Sequence, residues 1–329
     1  MSKDCQLGFR DFERSMVKRE TKRERFLSVM EEVVPWEELE GLLQPFYGKQ
    51  DRTVGRRPYP LRMMLRIHFL QQWYSLSDER MEEELIDVPV VRAFAGIDLL
   101  AGSVPDESTI LAFRHLLEEK KLAKKIFKMV NRHLEDQGLL MRKGTVIDAT
   151  IINAPGSTKN KRRERDPEMR QTRKGNQWFF GMKAHIGVDK DSGVIHSVVT
   201  TAANVHDLTS ASELLHGQED VVYGDAGYQG LERRREMENK RVECRIAMRP
   251  GQRRKLSNSP EDQLQEWCER AKGHVRAKVE HAFRIMKRQF GFEKTRLRGI
   301  GKNQSKMLIL ATLTNLFMVR NQISSMKVA

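Results

Sequence analysis

The sequence predicts an α/β protein in which an all-helical N-terminal region, residues 1–140, precedes a mixed-sheet domain, residues 141–329. Two features carry that prediction. As far as Gly138, apolar residues recur every three or four positions, the spacing of one helix face. From Gly144 onward they give way to short β-branched runs set between helical segments. Five N-terminal stretches keep the helical period: RERFLSVMEEVV (23–34), LRMMLRIHFLQQWYSL (61–76), SDERMEEELI (77–86), DESTILAFRHLLEE (106–119) and KLAKKIFKMVNRHLEDQG (121–138). Ser77 suits the start of the third, because its hydroxyl can accept a bond from an orphan amide of the first turn. Gly138 suits the end of the fifth. The prolines and glycine of DRTVGRRPYP (51–60) mark a break between the first two.

In the second half, GTVIDATIIN (144–153) reads as a buried strand. QWFFGMKAHIGVD (177–189) and GVIHSVVTTAA (193–203) follow as a hairpin turned at Lys190-Asp191-Ser192-Gly193. A helix over LTSASELLHG (208–217), a strand over DVVYGDAGY (220–228), a helix over LERRREMENK (231–240) and a strand over VECRIAMR (242–249) come next. A polar loop (250–260) leads to a long helix from about Glu261 to Phe290, and a last helix covers about 303–322. Antiparallel hairpin strands followed by helix-linked strands make a mixed sheet. That order is the one expected of a ribonuclease-H-like domain.

Lys and Arg number 59 against 45 Asp and Glu, a formal net charge of +14. Such a surplus draws a protein toward polyanions, since each phosphate it neutralises releases condensed counterions. A basic protein that is merely well solubilised has the same total, so the placement of the charge decides. The one compositionally biased segment is STKNKRRERDPEMRQTRKGN (157–176). Cys5, Cys244 and Cys268 form no CxxC pair, which disfavours a disulfide framework or a structural zinc. The first twenty residues lack the apolar core of a secretory signal, and no apolar run reaches the roughly 18 residues of a membrane span. The expectation is a cytoplasmic protein with no membrane partner.

Asp148 lies inside the most apolar strand, between Ile147 and Ala149, where an unpaired carboxylate is costly. Asp225 ends the fourth strand, and the carboxyl ends of strands in open α/β sheets are where ligand clefts form. If the first and fourth strands are neighbours, the two carboxylates converge, and a hard divalent cation between them offsets their repulsion. The alternative is local: each Asp bonding a nearby amide. On the long helix, at about 100° per residue, Arg276, Glu280 and Lys287 fall within about 40° of one another, along the border of the apolar face. That stripe gives Glu280 to a metal, and Arg276 and Lys287 to DNA phosphates or a displaced base. An exposed Arg–Glu pair of a few tenths of a kcal/mol is the plain alternative.

The segments VIDATIINAPGSTKNKRRERDPEMRQTRKGNQWFFGMKAHIGVD, TTAANVHD, GDAGYQG and RAKVEHAFRIMKRQFGF together resemble the bacterial insertion-sequence transposases of the insertion sequence five type, within the broader insertion sequence four-like superfamily. GRRPYPLRMMLRIHFLQQWYSLSDERMEEEL resembles that family's helical N-terminal region, so the likeness spans roughly Met30 to Arg320. It implies a DDE active site of Asp148, Asp225 and Glu280 holding Mg²⁺ or Mn²⁺, as two ions. The related signature Tyr-x2-Arg-x3-Glu-x6-Lys maps onto Arg276, Glu280 and Lys287, with Gly273 standing where its tyrosine would be.

The resemblance implies a DNA transposase that binds the terminal inverted repeats of its element through the helical region. It cleaves the element ends with activated water and joins the 3′-hydroxyls to target DNA, as a homodimer assembled on double-stranded DNA at the nucleoid. Arg56, Arg57, Arg62 and Arg66 are the candidate phosphate contacts of the helical region. Lys159, Lys161, Arg162 and Arg284 are those of the basic segments. Lys183 and His185 share a strand face and are candidate DNA contacts, with a solvated edge as the alternative. His206 and Asp207 are candidates for a supporting shell or a phosphate contact; for Asp207 a cap on the helix that starts at Leu208 is the favoured role, and His206 is left open. Trp178 could stack on an unpaired base, with core packing the favoured role. A metal-dependent nuclease without strand transfer and an inactive DNA-binding regulator are the other readings.

Overall fold

The computed structural model describes residues 19–48, 58–98, 102–159, 163–238 and 240–328. Arg56, Arg57, Lys161, Arg162 and Cys5 lie outside those residues. The chain divides into two compact units, one of residues 1–126 with 316–329 and one of residues 127–315.

The first unit is helical: α1 (Lys22–Val33), α2 (Trp36–Leu43), α3 (Leu61–Trp73), α4 (Asp78–Asp87), α5 (Pro89–Ala95), α6 (Glu107–Glu119) and the start of α7 (Leu122–Asp136). Local chemistry starts these helices. Thr21 and Glu24 close a capping box on α1, and the Ser77 side chain accepts from Arg80 N to cap α4, as the sequence predicts. Gly96, at φ 76°, ends α5 in a left-handed turn that disfavours any side chain. Helix α3 is buried over most of its surface; its Trp73 packs edge-on with Phe69 and Phe94, and Phe69 lies tilted against Trp36.

The second unit is built on a six-stranded sheet of β1 (Gly144–Asn153), β2 (Arg170–Lys174), β3 (Gln177–Asp189), β4 (Ile195–Ala202), β5 (Val221–Gly224) and β6 (Glu243–Ile246). The order is β2-β3-β1-β5-β6, with β4 pairing a second stretch of β3. Strands β1, β3 and β4 run antiparallel, whereas β5 and β6 run parallel to β1 and to each other. Together with the helices before it, this mixed sheet is the ribonuclease-H-like arrangement that the strand order predicts. A short helix α8 (Pro250–Arg253) and the long helix α9 (Pro260–Arg284) follow, and α10 (Ile300–Val328) closes the chain.

Alternation along β1 sends its side chains to two differently covered faces. Ile147 points into a cluster with Val222 of β5 and with Ala211, Leu214 and Tyr228 from the segments after β4 and β5. Asp148 and Thr150 point the other way. Helix α9 packs on β1, β3 and β5, with Val279, Ala282 and Phe283 buried. Gly181 keeps β1 and β3 close there, since a Cβ at that position would collide with the Ile152 carbonyl oxygen.

Several elements depart from the sequence expectations. Strand β2 lies within the basic stretch 157–176, for which the sequence suggests no element. The segments predicted as helices at 208–217 and 231–240 are 3-10 turns, Asp207–Leu214, Leu231–Arg233 and Arg235–Met237. The fourth strand stops at Gly224, because Asp225 caps a 3-10 turn over Ala226–Tyr228. Helix α9 widens into a π-turn over Ile285–Gln289, so the straight-helix projection stops applying at Arg284. Among the described residues no helix is long and apolar enough to cross a membrane.

Candidate active site

The register between β1 and β5 sets Val146 opposite Tyr223. Carried two residues further, it brings Asp148, midway along β1, beside Asp225, just past the end of β5. Each also makes the local bond named as the alternative. Asp148 Oδ1 accepts from Ala149 N at 2.8 Å, and Asp225 Oδ1 accepts from Gly227 N at 2.9 Å. A Cβ on Gly227 would stand 3.0 Å from that Oδ1, so glycine permits the close approach. In both residues Oδ2 takes part in no hydrogen bond among the described residues. Local structure therefore uses one oxygen of each carboxylate and leaves the second.

Burial is the main cause that pushes the Asp148 carboxyl up to about 6; the neighbouring charge of Asp225 adds to it and the Arg276 guanidinium opposes it. Arg276 projects from α9 toward this pair, with its Nε buried and without a hydrogen-bond partner. Two carboxylates side by side, with one guanidinium to offset them, form an all-oxygen donor set short of positive charge. That set fits a hard divalent cation.

Glu280 stands on α9 one turn beyond Arg276 and is exposed. Among the described residues no three His, Cys, Asp or Glu side chains are gathered to hold a metal ion, so Glu280 is not drawn in with the other two. Lys287 is turned inward instead. Its Nζ donates to Thr150 Oγ1 at 2.7 Å and to the Ile151 carbonyl at 3.0 Å, and burial lowers its pKa. The stripe read from the helix thus delivers Arg276 and Lys287 to the Asp148 face of β1. At Gly273, where the tyrosine of the signature would stand, the space around the backbone is open.

A second polar group lies against the opposite face of β1. Asp207 pairs with Lys183 Nζ at 2.9 Å and lies 3.9 Å from His185 Nδ1. The cap of the 3-10 segment comes from its neighbour His206, whose Nδ1 accepts from Leu208 N at 3.2 Å. Capping by Asp207 is thereby corrected, since pairing with Lys183 draws that carboxylate away from the turn. His185 is wholly buried, shares a hydrogen bond with Thr201 Oγ1 at 2.8 Å, and is pushed down to about 4 by burial. A neutral imidazole with no exposed surface cannot meet DNA, which corrects the reading of His185 as a DNA contact. The Tyr228 hydroxyl is also buried and unpartnered, and its pKa is raised first by burial and then by Asp148, Asp207 and Asp225. Neither the Asp207–Lys183 pair nor Tyr228 is signalled by spacing, because their partners are distant in sequence.

The remaining candidates are placed as follows. Arg62 pairs with Glu37 at 2.8 Å and Glu40 at 2.5 Å, and Arg66 pairs with Glu31 beneath the Trp36 ring. Arg284 and Lys159 are exposed. Trp178 is 65% exposed, which overturns the core role favoured for it.

The geometry agrees with what the sequence matches. Residues 140–316 match the model of the family described as Transposase DDE domain. The chain belongs to that family. Residues 14–116 match a second model, described as Transposase domain (DUF772), so both halves of this DDE transposase carry transposase signatures. No solved structure matches the chain. Enzymes of the family act on DNA and generally use divalent metal ions.

Proposed function

We propose that this transposase is of the insertion sequence five type, recognises the terminal inverted repeats of its element, cuts at the element ends and joins the freed 3′-hydroxyls to target DNA. The observation that carries this reading is the meeting of Asp148, midway along β1, with Asp225, just past the end of the parallel neighbour β5, faced by Arg276. Asp148 and Asp225 would supply oxygen ligands to a divalent ion, with Glu280 of α9 as the third. A divalent ion, Mg²⁺ or Mn²⁺, present as a pair in the working enzyme, supplies the charge that stabilises the attacking and leaving oxygens.

The remaining work falls to the chain. Arg276, already facing Asp148, holds the scissile phosphate by charge-assisted hydrogen bonds. Lys287 fixes the outer half of β1 through Thr150 and Ile151, which keeps Asp148 in register with Asp225. Asp207 and Lys183 brace the same strand from its other face. In the first step water adds to phosphorus and the 3′-oxygen leaves with a proton. In the second that 3′-hydroxyl attacks a target phosphodiester in line and displaces the target's own 3′-oxygen. Neither step requires a protein–DNA bond. The helical region, residues 1–140, takes the inverted repeat, and Arg284 and Lys159 contact backbone phosphates. Two element ends call for a homodimer on DNA, working in the cytoplasm at the nucleoid.

The test is a strand-transfer assay with a labelled element end, Mg²⁺ and plasmid target. The expected result is a joined product that disappears in Asp225→Asn and Glu280→Gln. Hydrolysis with no joined product would assign a nuclease, and binding with neither would assign an inactive regulator.

A further inference from the structure

Strand β2 turns the start of β3 into a two-stranded ribbon, with Arg170 opposite Gly181, Arg173 opposite Trp178 and Lys174 opposite Gln177. The ribbon is unusual within its sheet. Nearly every residue from Arg170 to Trp178 is exposed, on both faces, whereas β3 beyond Phe180 is almost wholly buried. An isolated two-stranded ribbon is marginal in water, so such a projection gains most from a partner.

The chemistry of that partner is written along the ribbon. No acidic residue occurs between Glu168 and Asp189, while Arg170, Arg173 and Lys174 crowd the hairpin. The uncharged exposed positions include Gln171, Asn176 and Gln177, amides able to pair with base edges. The Arg173 guanidinium is held only at the exposed tip, by the Gly175 carbonyl at 3.0 Å and Asn176 Oδ1 at 3.2 Å. A basic ribbon bearing Arg, Gln and Asn has the width and the donors for the major groove of duplex DNA.

Its position relative to the catalytic carboxylates follows from the register. Asp148 faces Ile186, and Trp178 lies eight positions further along β3 with the same parity. At about 3.3 Å per residue that is about 26 Å from Asp148 along the same sheet face. Duplex DNA rises about 3.4 Å per base pair, so the offset corresponds to about seven or eight base pairs.

We propose that the β2–β3 ribbon enters the major groove of the element's end and reads base pairs at a fixed distance from the cleaved phosphate. It thereby makes the catalytic unit a determinant of sequence specificity, with Arg173 as the reader and Trp178 as an apolar wall beside it. The inference rests on the transposase reading. It commits to the element end over target DNA, because a reader at fixed distance from the cut selects the sequence that is cut.

The test is selection of duplexes with a randomised central segment by wild type, Arg173→Lys, Trp178→Ala and Trp267→Ala. Trp267 is an equally exposed aromatic on α9 and serves as the control. Nicking of the selected duplexes in Mg²⁺ maps the cut. Wild type and Trp267→Ala are expected to enrich a block centred about seven or eight base pairs from the nick. Arg173→Lys keeps the charge and loses the bidentate fork, so discrimination within that block should drop roughly 5- to 150-fold with the salt dependence unchanged. Trp178→Ala should weaken the same block. An unchanged block in both ribbon variants, or a loss spread evenly over all sequences, overturns the proposal. So does a wild-type motif with no such block. Absence of nicking on every duplex would count against the transposase reading instead, while the selected motifs still report on the ribbon.

Discussion

Strand β1 carries two polar clusters, three residues apart, that could hardly be treated more differently. At Thr145 every oxygen of the buried carboxylates is bonded. The Thr145 hydroxyl donates to Glu219 Oε1 at 3.2 Å and lies 3.1 Å from His196 Nε2, and Glu219 also accepts from the amides of His216 and Gly217. Nearby Asp189, with no exposed surface, accepts from the amides of Arg142, Asp191 and Ser192 and from the Ser192 hydroxyl. At Asp148 the network is open. One backbone amide serves each of Asp148 and Asp225, the Tyr228 hydroxyl and Arg276 Nε are unpartnered, and the Asp148 carboxyl sits at about 6. Buried carboxylates that hold a fold together have their bonds complete; those that await a substrate and an ion do not.

The widest separation between the clusters is expected in activity. Asp148→Asn and Asp225→Asn should each lower Mg²⁺-dependent cleavage by about 10³-fold or more, the rate equivalent of several kcal/mol of metal stabilisation. Asp189→Ala should leave the chemistry intact wherever the protein is folded. Its penalty falls on stability, about 2–5 kcal/mol in denaturant unfolding, because buried amides lose their acceptor. Loss of cleavage in Asp189→Ala at full stability would break the contrast.

The next effect is one of pH. Asp148 has a carboxyl raised from 3.8 to about 6, so its protonated form favours the folded state. That contribution is complete below about pH 4 and is lost as pH rises through 6. In metal-free protein, Asp148→Asn should therefore become more stable than wild type above pH 6, by up to about 2–3 kcal/mol, and not below pH 4. Equal stability at pH 8 would place the carboxylate in a better-compensated site than the one described. The smallest effect is at the unpartnered phenol. Tyr228→Phe should be neutral or stabilising by up to about 1 kcal/mol, whereas Thr145→Val should cost about 1–2 kcal/mol, as measured by urea midpoints.

The same contrast accounts for what could be read in advance. Asp148 was legible because a carboxylate in VIDATII breaks a β-branched run, and Asp225 because it closes VVYG before a turn. Helix α9 was legible through its period as far as Arg284, and the π-turn that carries Lys287 left no such trace. Strand β2 was not legible, since RQTRK is exposed on both faces and has no alternation to reveal it. The 3-10 segments share the apolar spacing of helices, and LTSASEL is too short and too rich in hydroxyls to favour the α form. The burial of His185 depended on the sheet being covered on both faces, and the pairing of Asp207 with Lys183 spans 24 residues. Both are tertiary facts.

The claim at the centre is that Asp148 and Asp225 form one site left short of positive charge. Mn²⁺ titration of the DNA-free protein at pH 8, followed by thermal unfolding, tests it most directly. Saturating Mn²⁺ should raise the melting temperature of the wild type by a few degrees, the response to about 2–3 kcal/mol of ligand stabilisation. The rise should vanish in both Asp148→Asn and Asp225→Asn. A rise of equal size in wild type and either variant would contradict the account.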